Sequence, residues 1–301
     1  MDRRTFTLSA LGAAALGSMR LSSAAASEVA KRAIPSTGEE IPIIGLGTNR
    51  YGVDESDEAR APLRESLQRF RAWGGGMIDT APMYRTSESV LGDLIAELGM
   101  RKDVFLATKV DKNSAESART QMLSSHEKLK SGTFDLMQIH NLRGWQTSLP
   151  LLEEWKRSGR ARYTGITTSR SSQYAELEKI LAKHDLDFVQ LNYSLEQRES
   201  AERLMPLAAD RGIGVIINRA FGGGRLFRAV ASKQIPDWAK EFGCESWAQF
   251  LLKYALSHPA ATVAIPGMTK ARHVDDNFAA ATTRMPSAEE RRRQERFFDE
   301  L

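Results

Sequence analysis

The chain has 301 residues, 42% of them hydrophobic, with 42 Lys and Arg against 38 Asp and Glu, five His, one Cys and a formal charge of +4. That length suits one globular domain with a sizeable core, and a charge this near balance argues against the basic footprint of a nucleic-acid binder. A lone cysteine, Cys244, rules out an internal disulfide framework and a thiolate metal cluster.

Taken in chain order, the first 26 residues read as an export signal. Asp2-Arg3-Arg4-Thr5-Phe6-Thr7-Leu8 precedes a weakly apolar Ala/Gly stretch, and Ala24-Ala25-Ala26 supplies a small-residue cleavage pattern. Together these read as a twin-arginine signal cut near Ala26. The stretch 8–19 is too short and too rich in glycine and alanine for a bilayer span, which takes about 20 apolar residues. No later segment qualifies, so the mature chain, 27–301, is expected to be soluble, without stable membrane insertion. Losing Arg3, Arg4 and Arg20 against Asp2 leaves it a net charge of +2. The twin-arginine export machinery is then a partner and the periplasm the destination, a cytoplasmic location being the alternative. Such a chain is expected to cross the membrane folded, which suits one that dispenses with disulfides.

From Ile41 onward, short apolar runs alternate with helical patterns. Strands are expected at 41–46, 77–79, 104–109, 134–140, 162–166, 188–192, 213–217 and 262–265. Between them lie apolar faces spaced three or four apart, such as Leu63/Leu67/Phe70, Leu149/Leu152/Trp155 and Trp247/Phe250/Leu251/Tyr254. Eight strand-helix alternations without a composition break predict a single-domain (β/α)8 barrel. An open doubly wound sheet would want a G-x-G-x-x-G fingerprint, and Gly45-Leu46-Gly47-Thr48 stops short of it. Two extra C-terminal helices are expected over 271–282 and 287–301, the second a charged face packed on the barrel. The stretch 222–246 is longer than a usual connection and, if it lies at the active rim, is placed to cover a ligand.

The chemistry gathers at strand ends. Asp79 ends the second strand, Lys109 the third and His140 the fourth, and Tyr84 follows Asp79 on the same loop. In a parallel barrel those carboxyl ends form one rim, where catalysis sits. Each residue alone is ordinary: a loop tyrosine usually packs, a strand-end aspartate usually caps, and a lysine there usually reaches solvent. Their conjunction on three successive strands is specific. A proton-donating phenol must be acidic enough to give its proton and basic enough to be recharged. A free phenol titrates near 10, so Tyr84 needs a nearby ammonium to favour its phenolate. Lys109 supplies that charge, Asp79 holds Lys109 by a charge-assisted hydrogen bond, and His140 orients the substrate oxygen or relays the proton.

In this order and context, with D-T-A-P-x-Y, S-E-x-x-L-G, A-T-K and Q-I-H-N around them, Asp79, Tyr84, Lys109 and His140 resemble the catalytic tetrad of the aldo-keto reductases. The likeness runs from about Ile41 to about Asn277. It departs at Arg85, where the family commonly has glycine.

A nucleotide is read from the later loops. Strand seven leads into Asn218-Arg219-Ala220-Phe221-Gly222-Gly223-Gly224 and strand eight into Ile265-Pro266-Gly267-Met268-Thr269-Lys270, and loops after these strands often bind phosphate at a helix start. Arg219, Phe221, Gly222 and Gly223 on the first loop, Ile265, Gly267 and Thr269 on the second, and Thr48 after the first strand are assigned to it. Lys270 adds charge for a ribose 2′-phosphate. The resemblance implies further contacts: Gln190 for the nicotinamide carboxamide, Asp276-Asn277 for adenine, and Thr167-Thr168 where a Ser-Asn pair often stands. His273 stands where many members carry an arginine, so NADH is possible beside NADPH.

The chain is therefore identified as a member of that family: an NADPH-dependent oxidoreductase, expected to be monomeric, that reduces a small aldehyde or ketone with Tyr84 as general acid. The alternative is a non-catalytic barrel that keeps the nucleotide as a redox sensor or partner subunit. A metal-dependent hydrolase is disfavoured, since no H-x-H or carboxylate-histidine cluster stands at the strand ends, and no metal is expected.

Overall fold

The computed structural model describes residues 28–301. The proposed signal, 1–26, lies outside the described residues. Eight parallel strands follow one another around a sheet: β3 (Leu46–Gly47), β4 (Gly76–Asp79), β5 (Val104–Val110), β6 (Phe134–Ile139), β7 (Ala161–Thr167), β8 (Phe188–Asn192), β9 (Gly214–Asn218) and β10 (Ala261–Ala264). Parallel bridges Ile44↔Ala264 and Gly47↔Gly267 join the first strand region to the last, closing the sheet into the expected barrel. The close approach of neighbouring strands here explains two glycines. A Cβ on Gly45 would stand 2.6 Å from the Met77 carbonyl oxygen, and one on Gly47 the same distance from that of Ile265.

Helices α1 (Asp57–Ala72), α2 (Ser87–Glu97), α3 (Ala115–Leu129), α4 (Trp145–Arg157), α5 (Tyr174–Lys183), α6 (Leu204–Asp210), α7 (Arg225–Ala229) and α8 (Trp247–Leu256) lie between the strands. Their apolar faces form because they repeat at helical spacing: Leu63, Leu67 and Phe70 of α1 are buried, as are Leu149, Leu152 and Trp155 of α4. Ser56, Ser114 and Ser246 start α1, α3 and α8 with side-chain oxygens accepting backbone N–H groups.

The apolar run 41–46 divides where one strand was expected. Its first part joins β2 (Glu40–Pro42), which pairs antiparallel with β1 (Lys31–Ala33) to form a hairpin, and the barrel strand proper starts at Leu46. Ile34 and Ile41 of the hairpin region enter the barrel interior beside Met77, Phe105, Leu136, Tyr163 and Phe188. They stop the end opposite the site, each burial worth about 1.5–3 kcal/mol.

After β10 come α9 (Ala271–Ala279) and α10 (Ala288–Asp299), near the expected bounds. A capping box between Ser287 and Glu290 begins α10. Gln294 is buried and donates to the Phe250 carbonyl, seating α10 on α8. The stretch 222–246 is mostly folded: a short turn at Gly222–Gly224, then α7, then a 3₁₀ helix at Asp237–Phe242.

Candidate active site

Three strand ends and one loop converge as the barrel requires. Lys109, on β5, is fully buried. Its ammonium donates to Asp79 Oδ2 at 2.6 Å and to the Thr80 carbonyl at 2.8 Å. An ammonium has three donors, and the remaining neighbour is Tyr84, whose ring centroid lies 5.3 Å from Nζ. Burial pulls the Lys109 pKa down, but the Asp79 carboxylate and the Tyr84 phenol outweigh it, and the net shift is upward. The ammonium is thus a fixed charge beneath the phenol.

Asp79 is held from two more sides, because Gln138 Nε2 and Gln190 Nε2 each donate to its Oδ1 at 3.0 Å. Gln138 was not singled out from sequence. The available signal was strand alternation, since it precedes His140 by two residues on β6 and points to the same side.

His140 meets Tyr84 edge to face, ring centroids 6.1 Å apart. Burial, and then the Lys109 charge, push its pKa down to about 3, so the imidazole is neutral.

The tyrosine loop turns at Arg85, whose φ of 57° is left-handed. Glycine tolerates that conformation at no steric cost, and the arginine adopts it nonetheless. Gly52 lies against the turn, where a Cβ would stand 2.5 Å from the Tyr84 carbonyl oxygen.

A cavity of about 860 Å³ opens over these groups, within the range of small-molecule sites. Asp79, Tyr84 and His140 line it, as do Thr269, His273, Asp276 and Asn277. Thr48, Thr167, Gln190, Arg219, Phe221, Gly223, Ile265 and Gly267 line it too. Four of the residues singled out from sequence stand outside the wall. Lys109 lies beneath it. Thr168 spends its hydroxyl on Gln173 Oε1 at 2.6 Å. Gly222 is buried against Glu196, whose Oε2 would be 2.4 Å from a Cβ there. Lys270 is exposed and starts α9. Asn49, Arg50, Asn141, Ser169, Phe227 and Trp247 line the cavity without having been singled out as nucleotide contacts.

The cavity suits a dinucleotide. No side chain caps the start of α9, leaving first-turn N–H groups for an anion. Gly223 and Gly224 present open backbone, with nothing within 4 Å of where a Cβ would stand. Gln190 spends one amide N–H on Asp79, which leaves its oxygen and its second N–H for a partner.

The sequence pattern of the aldo/keto reductase family matches residues 43–295. The chain belongs to that family. It is an oxidoreductase of the NAD(P)H-dependent kind that the family comprises. It is 25% identical to L-galactose dehydrogenase of Arabidopsis thaliana, covering 83% of this chain and 88% of that one. With methylglyoxal reductase YeaE of Escherichia coli it shares 26% identity, with 83% and 88% covered. Among solved structures, an aldo-keto reductase of Klebsiella pneumoniae in complex with NADPH aligns with a TM-score of 0.75 at 26% identity, over 87% of this chain and 92% of that one. Another from that organism, in complex with NADP and acetate, aligns at 0.74 and 27% identity, covering 87% and 93%.

Proposed function

We propose that this aldo/keto reductase uses NADPH to reduce a small aldehyde or ketone to the alcohol, with Tyr84 as the proton donor. The observation that carries the reading is the buried Lys109 ammonium, held by Asp79 directly beneath the Tyr84 ring at the floor of the cavity. A bound reduced nicotinamide supplies the hydride. The remaining work falls to the chain. Gln190 offers an acceptor to the carboxamide, Asn277 and Asp276 face the adenine end, and the start of α9 with Lys270 and Arg272 favours a 2′-phosphate. Tyr84 gives its proton to the carbonyl oxygen as that oxygen gains charge, and the Lys109 ammonium stabilises the phenolate left behind. Water entering the cavity restores the phenol.

Following NADPH oxidation with 4-nitrobenzaldehyde tests this. General acid catalysis contributes about 10²–10⁴ in rate, so Tyr84→Phe lowers kcat at least a hundredfold while the NADPH dissociation constant stays within about twofold of wild type. NADPH binds at least about tenfold tighter than NADH, a charge-assisted contact being worth about 1.5–3 kcal/mol. Full turnover in the Phe variant removes Tyr84 from the role, and equal dissociation constants remove the phosphate preference.

We further propose that the chain is exported through the twin-arginine route, on the strength of Arg3-Arg4 and Ala24-Ala25-Ala26. Arg3→Lys with Arg4→Lys is expected to shift the protein from the periplasmic to the cytoplasmic fraction. An unchanged distribution overturns the export reading.

A further inference from the structure

Beneath Tyr84 the barrel interior holds a polar side chain that the proton donation described above does not use. Gln138 is fully buried on β6, in register with Lys109 on β5 and with Gly165 on β7. It lies outside the cavity wall, so it does not face a ligand held there. Its Nε2 donates to Asp79 Oδ1 at 3.0 Å. A carboxylate only accepts, which fixes the nitrogen end of the amide toward it. The oxygen end, Oε1, is buried and has no partner among the described residues. Buried polar atoms are rarely left so, and an unpaired acceptor weakens a fold. An apolar side chain of similar size would avoid that penalty, so packing alone does not call for a glutamine here.

Its neighbours make room for it. A Cβ on Gly165 would stand 3.1 Å from Gln138 Cγ, so with glycine there β7 puts no side chain against the glutamine as it reaches past β5 to Asp79 on β4. Asp79 then has both oxygens engaged, Oδ2 by Lys109 and Oδ1 by Gln138 and Gln190. The torsion that sets a carboxylate plane is broad, and donors on Oδ1 narrow it. Where Oδ2 points decides where the Lys109 ammonium sits, 5.3 Å from the centre of the Tyr84 ring. Gln190 also lines the cavity, whereas the contact with Asp79 is the hydrogen bond that the Gln138 side chain makes.

We propose that Gln138 is a positioning residue: its amide N–H fixes the rotation of the Asp79 carboxylate, and through it the Lys109 ammonium beneath Tyr84, so that it governs the rate of proton donation without touching substrate or nucleotide. The kinetic half rests on the reductase reading given above; the placement of the ammonium does not.

Two measurements test the two halves separately. Gln138→Leu removes the donor at nearly constant volume; should it fail to fold, Gln138→Met takes its place. With NADPH and 4-nitrobenzaldehyde, kcat is expected to fall about tenfold to a hundredfold, the scale of one hydrogen bond to a charged group. KM and the NADPH dissociation constant stay within about twofold of wild type, since Gln138 is outside the cavity wall. Gln138→Glu is the rescue. Protonated, its carboxyl donates an O–H to Asp79; ionised, it sets one carboxylate against another, a pairing that raises the pH at which one of them ionises. Its kcat relative to wild type should therefore recover as pH falls from about 8 to about 5, while the ratio for the Leu variant stays flat. An unchanged kcat in Gln138→Leu overturns the proposal, as does a loss confined to KM or nucleotide binding, or a Glu variant that follows the Leu variant at every pH. Placement is read without turnover from the ¹⁵N-labelled Lys109 ammonium, which the Asp79 carboxylate helps keep charged, its signal assigned by loss in Lys109→Met. The wild type is expected to show one slowly exchanging signal, and Gln138→Leu to shift it and speed its exchange with water. An identical signal in the variant shows that Lys109 is held without Gln138 and overturns the proposal. A wild type that turns over no carbonyl strikes the reductase reading and leaves the ammonium signal to decide the placement.

Discussion

Arg85 shows how a single residue can break a local preference without moving the site. It holds φ at 57° immediately after Tyr84, a conformation that costs an L residue roughly 1–2 kcal/mol. The turn survives because it is fixed on both sides. The Tyr84 N–H donates to the Ala81 carbonyl, the Ser87 N–H donates to that of Tyr84, and Gly52 packs on the outside. The arginine side chain is exposed and forms no ion pair with a described residue. Arg85→Gly therefore removes strain and little else. Part of the gain is offset by the greater freedom of glycine in the unfolded chain, about 0.5–1 kcal/mol. The variant should be more stable by up to about 1 kcal/mol, a rise in Tm of about 2–4 °C, with kcat little changed; a lower Tm would mean that the arginine makes a contact that matters. At this scale the tetrad was legible because its members stand at strand ends in a recognisable order. Gln138 was not singled out. It lies on β6 two residues before His140, and alternation places it on the same side, but sequence does not say which such neighbour turns toward another strand.

Strands and helices were legible wherever an apolar period ran uninterrupted between turn residues. β8 falls on 188–192 as expected, and the other expected strands except the first fall within a residue or so of their bounds. The hairpin failed that test because 41–46 is apolar throughout, and periodicity cannot show that one run serves two sheets. Pro42 was the available signal, since a proline lacks the N–H that a central strand needs. The stretch 222–246 was legible as long but not as folded. Its attachment is an ion pair: Arg225 at the start of α7 donates through Nε and Nη2 to the two carboxylate oxygens of Glu196, at 2.8 and 3.0 Å. Glu196 also abuts Gly222, so it fixes the turn from which Gly223, Gly224 and Phe227 reach the cavity wall. Both partners are partly exposed, and pairs of that kind contribute about 0.2–1 kcal/mol. Glu196→Gln should then speed NADPH release about twofold to fivefold, with the change in affinity appearing mainly in koff. Stopped-flow nucleotide fluorescence measures this, and an unchanged koff would show that the segment is held by its packing instead.

The whole molecule stores part of its stability in keeping histidines neutral. His140 lies at the catalytic rim. His258 precedes β10, edge to face with Tyr193 at 5.4 Å, and its Nδ1 accepts the Ala260 N–H. Burial first, then the charges of Arg291 and Arg32, push the His258 pKa down to about 4, and that of His140 falls to about 3. Both titrate near 6.5 when unfolded. Below that pH the unfolded chain binds protons that the fold refuses, so stability falls as pH drops. The contribution is fully present above about 6.5 and is lost progressively toward the folded values. Glu88 acts in the opposite sense. Buried between Thr108 and Ser125, with its pKa raised by burial, it contributes stability that is present below 4.5 and is lost as pH rises through its folded value. Glu290, pushed down to about 2 chiefly by its hydrogen bond from Arg284, matters only below about 4.5. Between pH 7 and 5 the histidines therefore oppose Glu88, and a variant separates them. Urea unfolding at the two pH values gives the loss for wild type and for His258→Gln, whose amide can accept the Ala260 N–H but does not titrate. The variant is expected to lose less stability than wild type over that interval, with the shortfall assigned to His258. If both proteins lose the same amount, His258 charges inside the fold, and the depressed value drawn from its burial is wrong.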